Sequence, residues 1–293
     1  MFDQVASNIR KSWALMFVLA IMVIAIGFVF AQYTDYPWLL PVAIIVALLM
    51  NIISYYQSDK IVLAISGARP ATKTEEAYLV NTVEGLAIAA GIPMPRIYVI
   101  DDTAPNAFAT GRDPEHAVIC VTSGLLQKMN RVELEGVIAH EMSHIKNYDI
   151  RFQTIVVVMV GMIALLADWM LRSFWWGGGR RRRSDGGGSA IWAIIALIIA
   201  ILAPIAAALM QAALSRQREF LADSNGAVLT RYPEGLASAL EKIAADPEPL
   251  EAANKATAAL YIYNPLKDIG GTINSLFDTH PPVEERIRRL RSM

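Results

Sequence analysis

The chain has 293 residues, of which 55% are hydrophobic and 18% are charged. A soluble domain is usually about 45–50% apolar and about 25% charged, so this composition indicates a membrane protein. The formal net charge of −1 gives no sign of nucleic-acid binding. The one cysteine, Cys120, excludes an intrachain disulfide, and its apolar surroundings indicate a small buried residue.

Four long apolar runs occur in the sequence, over residues 13–31, 37–58, 152–171 and 190–214. Each is close to or longer than the roughly 20 apolar residues that a helix needs to cross a bilayer. The first run follows two basic residues, as a secretory signal would, but it is too long for such a signal. The second run comes almost at once, so we interpret the first as an uncleaved anchor.

These runs divide the chain into four predicted parts. A transmembrane hairpin comes first, and a soluble part follows it. A second transmembrane or membrane-embedded hairpin contains an Arg/Gly-rich loop over residues 177–189, and another soluble part ends the sequence. In that order, the four parts are residues 1–58, 59–151, 152–214 and 215–293.

The orientation in the membrane follows from the distribution of Lys and Arg. If all four runs cross, both termini and both soluble parts lie on the same side. Basic residues near the spans are more numerous on that side, which favours the cytoplasm. The cluster Arg180–Arg183 falls on the opposite side and conflicts with this rule. Either the first hairpin sets the topology, or the second hairpin does not fully cross.

The first soluble part has the pattern of a small α+β unit. Thr72 and Glu75 resemble a capping box, and the apolar periodicity after them predicts a helix that ends near Gly91. Short apolar runs predict three strands, and Asn130 with Glu133 are predicted to cap the next helix. The predicted strands are residues 96–100, 106–110 and 117–122.

The capped helix carries His140-Glu141-Met142-Ser143-His144, an H-E-x-x-H pattern. Residues four apart on a helix stack on one face, about 5–6 Å apart, so both imidazoles can reach one zinc ion. The glutamate beside the first histidine can then act as a general base on a water that the metal activates. The alternative is an exposed helix that carries two histidines without a metal.

A catalytic zinc usually has three protein ligands and an open position, so another segment is expected to supply the third ligand. Glu219 and Asp223 share a helix face in the segment 215–223. Glu219 is a candidate ligand, and Asp223 is a candidate acceptor for a ligating imidazole. The same spacing fits a solvated helix with Arg–Glu pairs, and spacing alone leaves both interpretations open.

Six short segments resemble, in order, the motifs of one known family. They are Met94-Pro95, residues 106–111, 123–126, 137–144 and 215–223, and Thr279-His280-Pro281-Pro282. The family is that of the HtpX-type membrane zinc metalloproteases, relatives of the CaaX prenyl proteases. The resemblance covers nearly the whole chain and is weakest over residues 1–58 and in the Arg/Gly loop.

This resemblance implies a mostly α-helical fold with a small β-sheet: membrane-embedded helices plus a zincin-like α+β metalloprotease domain formed by the two soluble parts. It implies that His140, His144 and Glu219 bind one catalytic Zn²⁺. It also implies that Glu141 is the catalytic acid/base and that Asp223 supports the ligands.

The resemblance further implies a biological role. The expected protein is a multi-pass endopeptidase of the bacterial inner membrane, often linked to heat shock, with its catalytic domain and both termini in the cytoplasm. Its expected partners are the lipid bilayer and misfolded, damaged or unfolded membrane-protein substrates, with no nucleic acid.

Two further positions each keep two interpretations. The segment 106–110 matches a strand expected along the cleft, where an extended substrate could add to its edge, but a plain hairpin strand would look the same. His280 could stabilise the oxyanion of a tetrahedral intermediate, or it could simply precede the helix that starts near Pro281. The residues of the candidate edge strand are Asn106, Ala107, Phe108, Ala109 and Thr110.

Two other classes of function share parts of this pattern. A zinc-binding membrane chaperone or scaffold without turnover would use the same ligands, but a structural site has no need of Glu141 and normally has four protein ligands. A transporter or channel would need polar groups inside its spans, and the apolar runs are almost free of charge.

Overall fold

The computed structural model describes residues 2–34, 36–177, 198, 215–253, 257–265 and 281–293. Apart from residues 177 and 198, the Arg/Gly loop and the fourth apolar run lie outside these residues, as does His280. The helices are α1 (Phe2–Thr34), α2 (Leu39–Tyr56), α3 (Ser58–Ile65), α4 (Ala77–Ala90), α5 (Ser123–Lys128), α6 (Arg131–Lys146), α7 (Asp149–Gly177), α8 (Arg216–Thr230), α9 (Pro233–Ala245) and α10 (Val283–Arg291), with 3-10 turns at Pro114–His116 and Thr257–Leu260.

Two of the described helices are long and apolar enough to cross a membrane, over Val5–Val29 within α1 and over Leu39–Tyr56. Gly27 lets these two helices approach closely, because a Cβ there would lie 2.1 Å from the Cβ of Ala43. Helix α6 and the first part of α7 would count as a third span only as one unit bent by 83°. The four-span topology and the predicted part boundaries stay predictions.

A four-stranded sheet lies beside these helices. Its strands are β1 (Arg69–Pro70), β2 (Arg96–Ile100), β3 (Ala107–Thr110) and β4 (Val118–Thr122), in the order β1-β2-β4-β3. The central pair, β2 and β4, is parallel, and the two outer strands are antiparallel to their neighbours. The three strands predicted from the sequence are therefore confirmed, two of them shortened by one residue.

Both faces of the sheet are covered, which explains why its strands are continuous apolar runs without alternation. One face contributes Val99 and Ile119 to a core that α4, α6 and α9 complete. The other face contributes Phe108 and Cys120 to a second core, closed by α7 and by Tyr261. Cys120 is thus a buried structural residue, as predicted. The fold class, mostly helical with a small sheet, is confirmed.

Local side-chain contacts with the backbone precede two of the helices. Before α6, the Asn130 side chain accepts from the N–H of Glu133, and the Glu133 carboxylate accepts from the N–H of Asn130 at 2.8 Å. This capping box was predicted. Before α4, the glutamate that reaches back to Thr72 is Glu76 and not Glu75, so the predicted box was wrong by one residue.

Candidate active site

The three residues expected to bind a metal converge in the interior. His140 and His144 lie on α6 with their Nε2 atoms 3.1 Å apart. Glu219, in the first turn of α8, places one carboxylate oxygen 3.7 Å from Nε2 of His140 and the other 3.6 Å from Nε2 of His144. The exposed fractions of these residues are 0%, 5% and 2%, respectively. The sequence also allowed an exposed helix with two histidines and a solvated helix with Arg–Glu pairs. Because all three residues are buried, neither of these alternatives is correct.

Close packing of α8 on α6 brings Glu219 to the histidines. Gly226 faces the backbone of α6, and a Cβ at that position would lie 3.1 Å from the backbone nitrogen of His140. The absence of a side chain therefore sets the distance between the two helices. Residues 219 and 226 lie about two turns apart on one helix, so this contact also fixes the position of Glu219 along α6.

The donor set fits a divalent metal. Imidazole nitrogens and a carboxylate oxygen are the usual protein ligands of zinc, at about 2.0–2.2 Å. Around a tetrahedral ion, ligand atoms at that distance are about 3.3 Å from one another. The two imidazole nitrogens are 3.1 Å apart, and each is 3.6–3.7 Å from the nearer oxygen of Glu219, on either side of that value. With one ligand atom from each residue, all three lie within 4.8 Å of one another. Three protein ligands also leave a fourth position for a water molecule.

The other nitrogen of His140 is held by an ionic pair. Nδ1 of His140 lies 2.9 Å from Asp223, which Arg286 binds through two guanidinium nitrogens at 2.7 and 2.9 Å. Burial would raise the pKa of Asp223, but the charge and hydrogen bonds of Arg286 hold it at about 2. Burial also lowers the pKa of His140. The imidazole is therefore neutral, with Nδ1–H donating to Asp223 and Nε2 facing the cluster.

The corresponding nitrogen of His144 is held by Asp149. The distance from His144 Nδ1 to Asp149 Oδ2 is 3.0 Å. Burial would lower the pKa of His144, but the hydrogen bond to Asp149 and the charges of Glu219 and Asp149 raise it to about 9. Asp149 in turn accepts from the side-chain amide of Asn8 at 2.7 Å. A carboxylate thus orients each histidine, as is usual for metal ligands.

A turn in the backbone brings Asp149 back toward His144. Tyr148, between α6 and α7, has φ of 60°, a left-handed conformation that costs a non-glycine residue about 1–2 kcal/mol. The two helices meet at 83°. Without this bend, α6 would continue straight and residue 149 would point away from residue 144. The strain is offset by the polar contacts that Asn147 and Asp149 make with Asn8.

Glu141 lies on the side of α6 that faces the sheet and is 2% exposed. Burial raises the pKa of its carboxyl to about 7, against the lowering effects of His144 and of a hydrogen bond from the Ala109 N–H. A carboxyl with a pKa near neutrality can both accept and return a proton. Glu141 thus has the environment of a general acid/base.

Strand β3 is an edge strand of the described sheet. Asn106 bonds inward to Thr122, so the backbone groups of Ala107 and Ala109 face the outer edge. Part of that edge is paired within the chain, because the Ala107 carbonyl accepts from the Ile262 N–H at 2.9 Å. The Asn106 side chain adds a bond to the Tyr263 carbonyl at 3.0 Å.

Sequence reasoning missed three residues that support this site: Asn8, Asp149 and Arg286. Arg286 carried a usable signal, since it lies on the same face of α10 as the buried residues Val283 and Leu290. A charged residue on an apolar face calls for a buried partner. Asn8 and Asp149 had no comparable signal, because each stands next to an apolar run and is typical of a helix end.

Comparisons with known proteins identify relatives of this chain. The model of peptidase family M48 matches residues 73–293. The chain is 52% identical to the "Protease HtpX homolog" of Dictyoglomus thermophilum, covering 100% of this chain and 94% of the relative. It is 49% identical to the homologue of Thermoanaerobacter pseudethanolicus, covering 100% and 98%. The crystal structure of S. mikatae Ste24p is 21% identical, with a TM-score of 0.48, and covers 99% of this chain and 67% of that one.

The buried His-His-Glu cluster, the two apolar helices, the family match and the curated protease relatives together define the class of the protein as a membrane metalloprotease. The chain belongs to peptidase family M48, and within that family it groups with the HtpX-type proteases.

Proposed function

We propose that the protein is a zinc endopeptidase that hydrolyses peptide bonds of misfolded or damaged membrane proteins on the cytoplasmic side of a bacterial inner membrane. His140, His144 and Glu219 would hold the zinc. The observation that carries this proposal is the convergence of three buried donor atoms, with each imidazole oriented by its own carboxylate. Preorganised ligands of this kind are typical of metal sites.

The chemistry that bound zinc supplies is a lowered water pKa, toward about 7, and polarisation of the scissile carbonyl. Glu141 removes the proton from the attacking water and delivers it to the leaving amine. Its raised pKa, about 7, suits both steps at neutral pH. Asp223 and Asp149 keep the two histidines from turning as charge changes during the reaction.

The outer edge of β3 is the proposed place for the substrate chain. A peptide added to this edge would lie alongside Ala109, whose N–H donates to Glu141, and its scissile bond would then lie beside the base. Pairing over Ala107 requires the Ile262 N–H to leave. We also propose that His280 donates to the oxyanion.

Three features support the membrane setting. The described chain has two helices suited to span a bilayer, and Asn8 in α1 contacts the residue that orients His144. We propose that the metal site lies at the level where α1 enters the bilayer, which would suit substrates that are themselves in the membrane. The Lys/Arg distribution around the spans favours the cytoplasmic side.

The experiment compares Glu141→Gln and His140→Ala with wild type in lipid, using an unfolded membrane protein as substrate. Glu141→Gln should keep its zinc and lose about 10²–10⁴-fold in rate, which is the usual contribution of general acid–base catalysis. His140→Ala should lose zinc, measured by metal analysis. Wild type should lose activity to a chelator and recover it when zinc is added back.

Glu135→Gln is the matched control, since Glu135 lies on the same helix but pairs with Arg131 at the surface. It should behave as wild type. If Glu141→Gln cleaved at the wild-type rate, the acid/base assignment would be wrong. If wild type bound zinc but cleaved nothing in any state, the protein would be a zinc-binding scaffold without turnover.

A further inference from the structure

One side chain of the membrane helix α1, that of Asn8, contacts the residues that orient the metal ligand His144. Asn8 is 4% exposed and lies near the start of the apolar stretch Val5–Val29. Its side-chain nitrogen donates to the carbonyl of Asn147 at 2.9 Å and to Asp149 Oδ1 at 2.7 Å. Both acceptors belong to the bend between α6 and α7, more than one hundred residues away in sequence.

The two bonds use the whole donor capacity of the amide. A side-chain amide has two N–H groups, and each has one acceptor here. The acceptor Asp149 then uses its other oxygen, Oδ2, for Nδ1 of His144 at 3.0 Å. Three residues thus form a continuous line of hydrogen bonds from a membrane helix to a metal ligand.

Asn51, a half-buried asparagine of the other apolar helix, shows what a purely local role looks like. Asn51, on α2, donates to the Ala47 carbonyl of its own helix at 3.0 Å. That bond stays within α2 and does not connect the amide to another element. Asn8 instead bonds to Asn147 and Asp149 in the bend between α6 and α7. These two residues flank the left-handed Tyr148.

We infer that Asn8 is a positioning residue of the metal site. It fixes the carboxylate of Asp149, which holds the ring of His144 with Nδ1 protonated and Nε2 facing the metal. This inference rests on the proposed zinc site. It extends that site beyond residues 73–293, the part that matches the family model, and into the N-terminal anchor. Helix α1 would then be part of the catalytic unit as well as a tether.

The physical expectation is a graded effect. Partners that orient metal ligands usually contribute about 10–100-fold to metal affinity. Asn8 acts one step further out, so its loss should weaken zinc binding by about 3–10-fold, below that range. If Asn8 acts only through Asp149, its loss should not change zinc affinity further in a protein that already lacks the Asp149 carboxylate.

The experiment measures zinc affinity of the full-length protein in lipid by competition with a chelator. The variants are Asn8→Leu, which keeps the packing volume, Asn8→Ala, Asp149→Asn, and the double variant Asn8→Leu with Asp149→Asn. Cobalt bound in place of zinc gives a second readout, because its visible spectrum reports ligand geometry. Asn51→Leu is the matched control and should bind zinc as wild type does.

The expected result is about 3–10-fold weaker binding for Asn8→Leu and Asn8→Ala, a shifted cobalt spectrum, and a double variant no weaker than Asp149→Asn alone. The inference is overturned if either Asn8 variant folds and binds zinc as wild type does. It is also overturned if the losses at Asn8 and Asp149 add fully, or if Asn51→Leu weakens binding equally. Failure of wild type itself to bind zinc would refute the proposed function, and that result is distinct from all of these.

Discussion

His140 and His144 stand one turn apart on the same helix, yet the two are supported in opposite ways. His140 is held by an ionic pair, Asp223 with Arg286, in which the arginine comes from the last helix of the chain. His144 is held by Asp149, whose partner is the neutral amide of Asn8 in the first helix. Arg218 adds a looser ion pair to Asp149, with 3.7 Å between its Nε and Oδ1.

The difference shows that the metal site has one firm support and one adjustable support. A bidentate pair between opposite charges is among the strongest polar contacts in a protein, and it is wholly buried here. A single hydrogen bond from a neutral amide contributes less, about 0.5–3 kcal/mol depending on the charge of its acceptor. Helices α8 and α10 therefore fix His140 through Asp223 and Arg286, while α1 supports His144 through Asn8.

The largest expected effect comes from breaking the ionic support. Arg286→Met should destabilise the zinc-free protein by about 3–5 kcal/mol, because it leaves the Asp223 carboxylate buried without its counter-charge. The thermal unfolding midpoint of the chelated protein in detergent measures this loss. Using chelated protein separates the effect on folding from the effect on zinc binding.

Arg288→Met removes the same charge from an exposed position on the same helix. It should change stability by no more than about 0.5 kcal/mol. Equal midpoints for the two arginine variants would contradict the claim that the pair of Arg286 with Asp223 holds His140 in place.

A second prediction compares the two carboxylates directly. Asp223→Asn and Asp149→Asn should each weaken zinc binding by about 10–100-fold, with Asp223→Asn nearer the upper limit. Its effect is larger because it also leaves Arg286 buried without a carboxylate partner at 2.7 Å. Chelator competition gives both affinities. A larger loss for Asp149→Asn would reverse the assignment of firm and adjustable support.

Much of this arrangement could be predicted from sequence, since it follows from local patterns. The strands, the capping box at Asn130 and the pairs at i and i+4 each depend on residues within one short segment. The supports could not be predicted in the same way. Asn8 meets Asp149 across 141 positions, and Arg286 meets Asp223 across 63. Spacing carries no information over such distances, and only the fold brings these groups together.

A third prediction uses the different protonation of the two histidines. The pKa of His140 is lowered by burial, while that of His144 is raised to about 9. At pH 7 zinc must therefore displace a proton from His144 but none from His140. The apparent zinc affinity should rise with pH up to about 9, by at most about tenfold per pH unit for one displaced proton.

Zinc affinity measured by chelator competition from pH 6.5 to 8.5 tests this slope. Asp149→Asn should flatten it, because Asp149 is the hydrogen-bond partner that raises the pKa of His144. Asp223→Asn should leave the slope as it is. A wild-type affinity independent of pH over this interval would show that both histidines are already neutral.

The smallest expected effect concerns the packing of α8 on α6 at Gly226. A methyl group at residue 226 would lie 3.1 Å from the nitrogen of His140 and 3.3 Å from the carbonyl carbon of Ala139. Gly226→Ala should therefore push α8 outward by a few tenths of an ångström and move Glu219 with it. We expect a loss of about 1 kcal/mol in stability, the lower end for overpacking, and a few-fold weaker zinc binding.

Gly85→Ala is the matched control, because a Cβ at that helical position meets nothing within 4 Å. It should be neutral or stabilising by up to about 1 kcal/mol. The hydrogen bond from His144 to Asp149 raises the pKa of His144 more than the charge of Glu219 on α8 does. Gly226→Ala should therefore leave most of the pH slope of zinc binding in place. If it flattened that slope, the two supports would be mechanically coupled through α6, and the separation of a firm and an adjustable histidine would have to be abandoned.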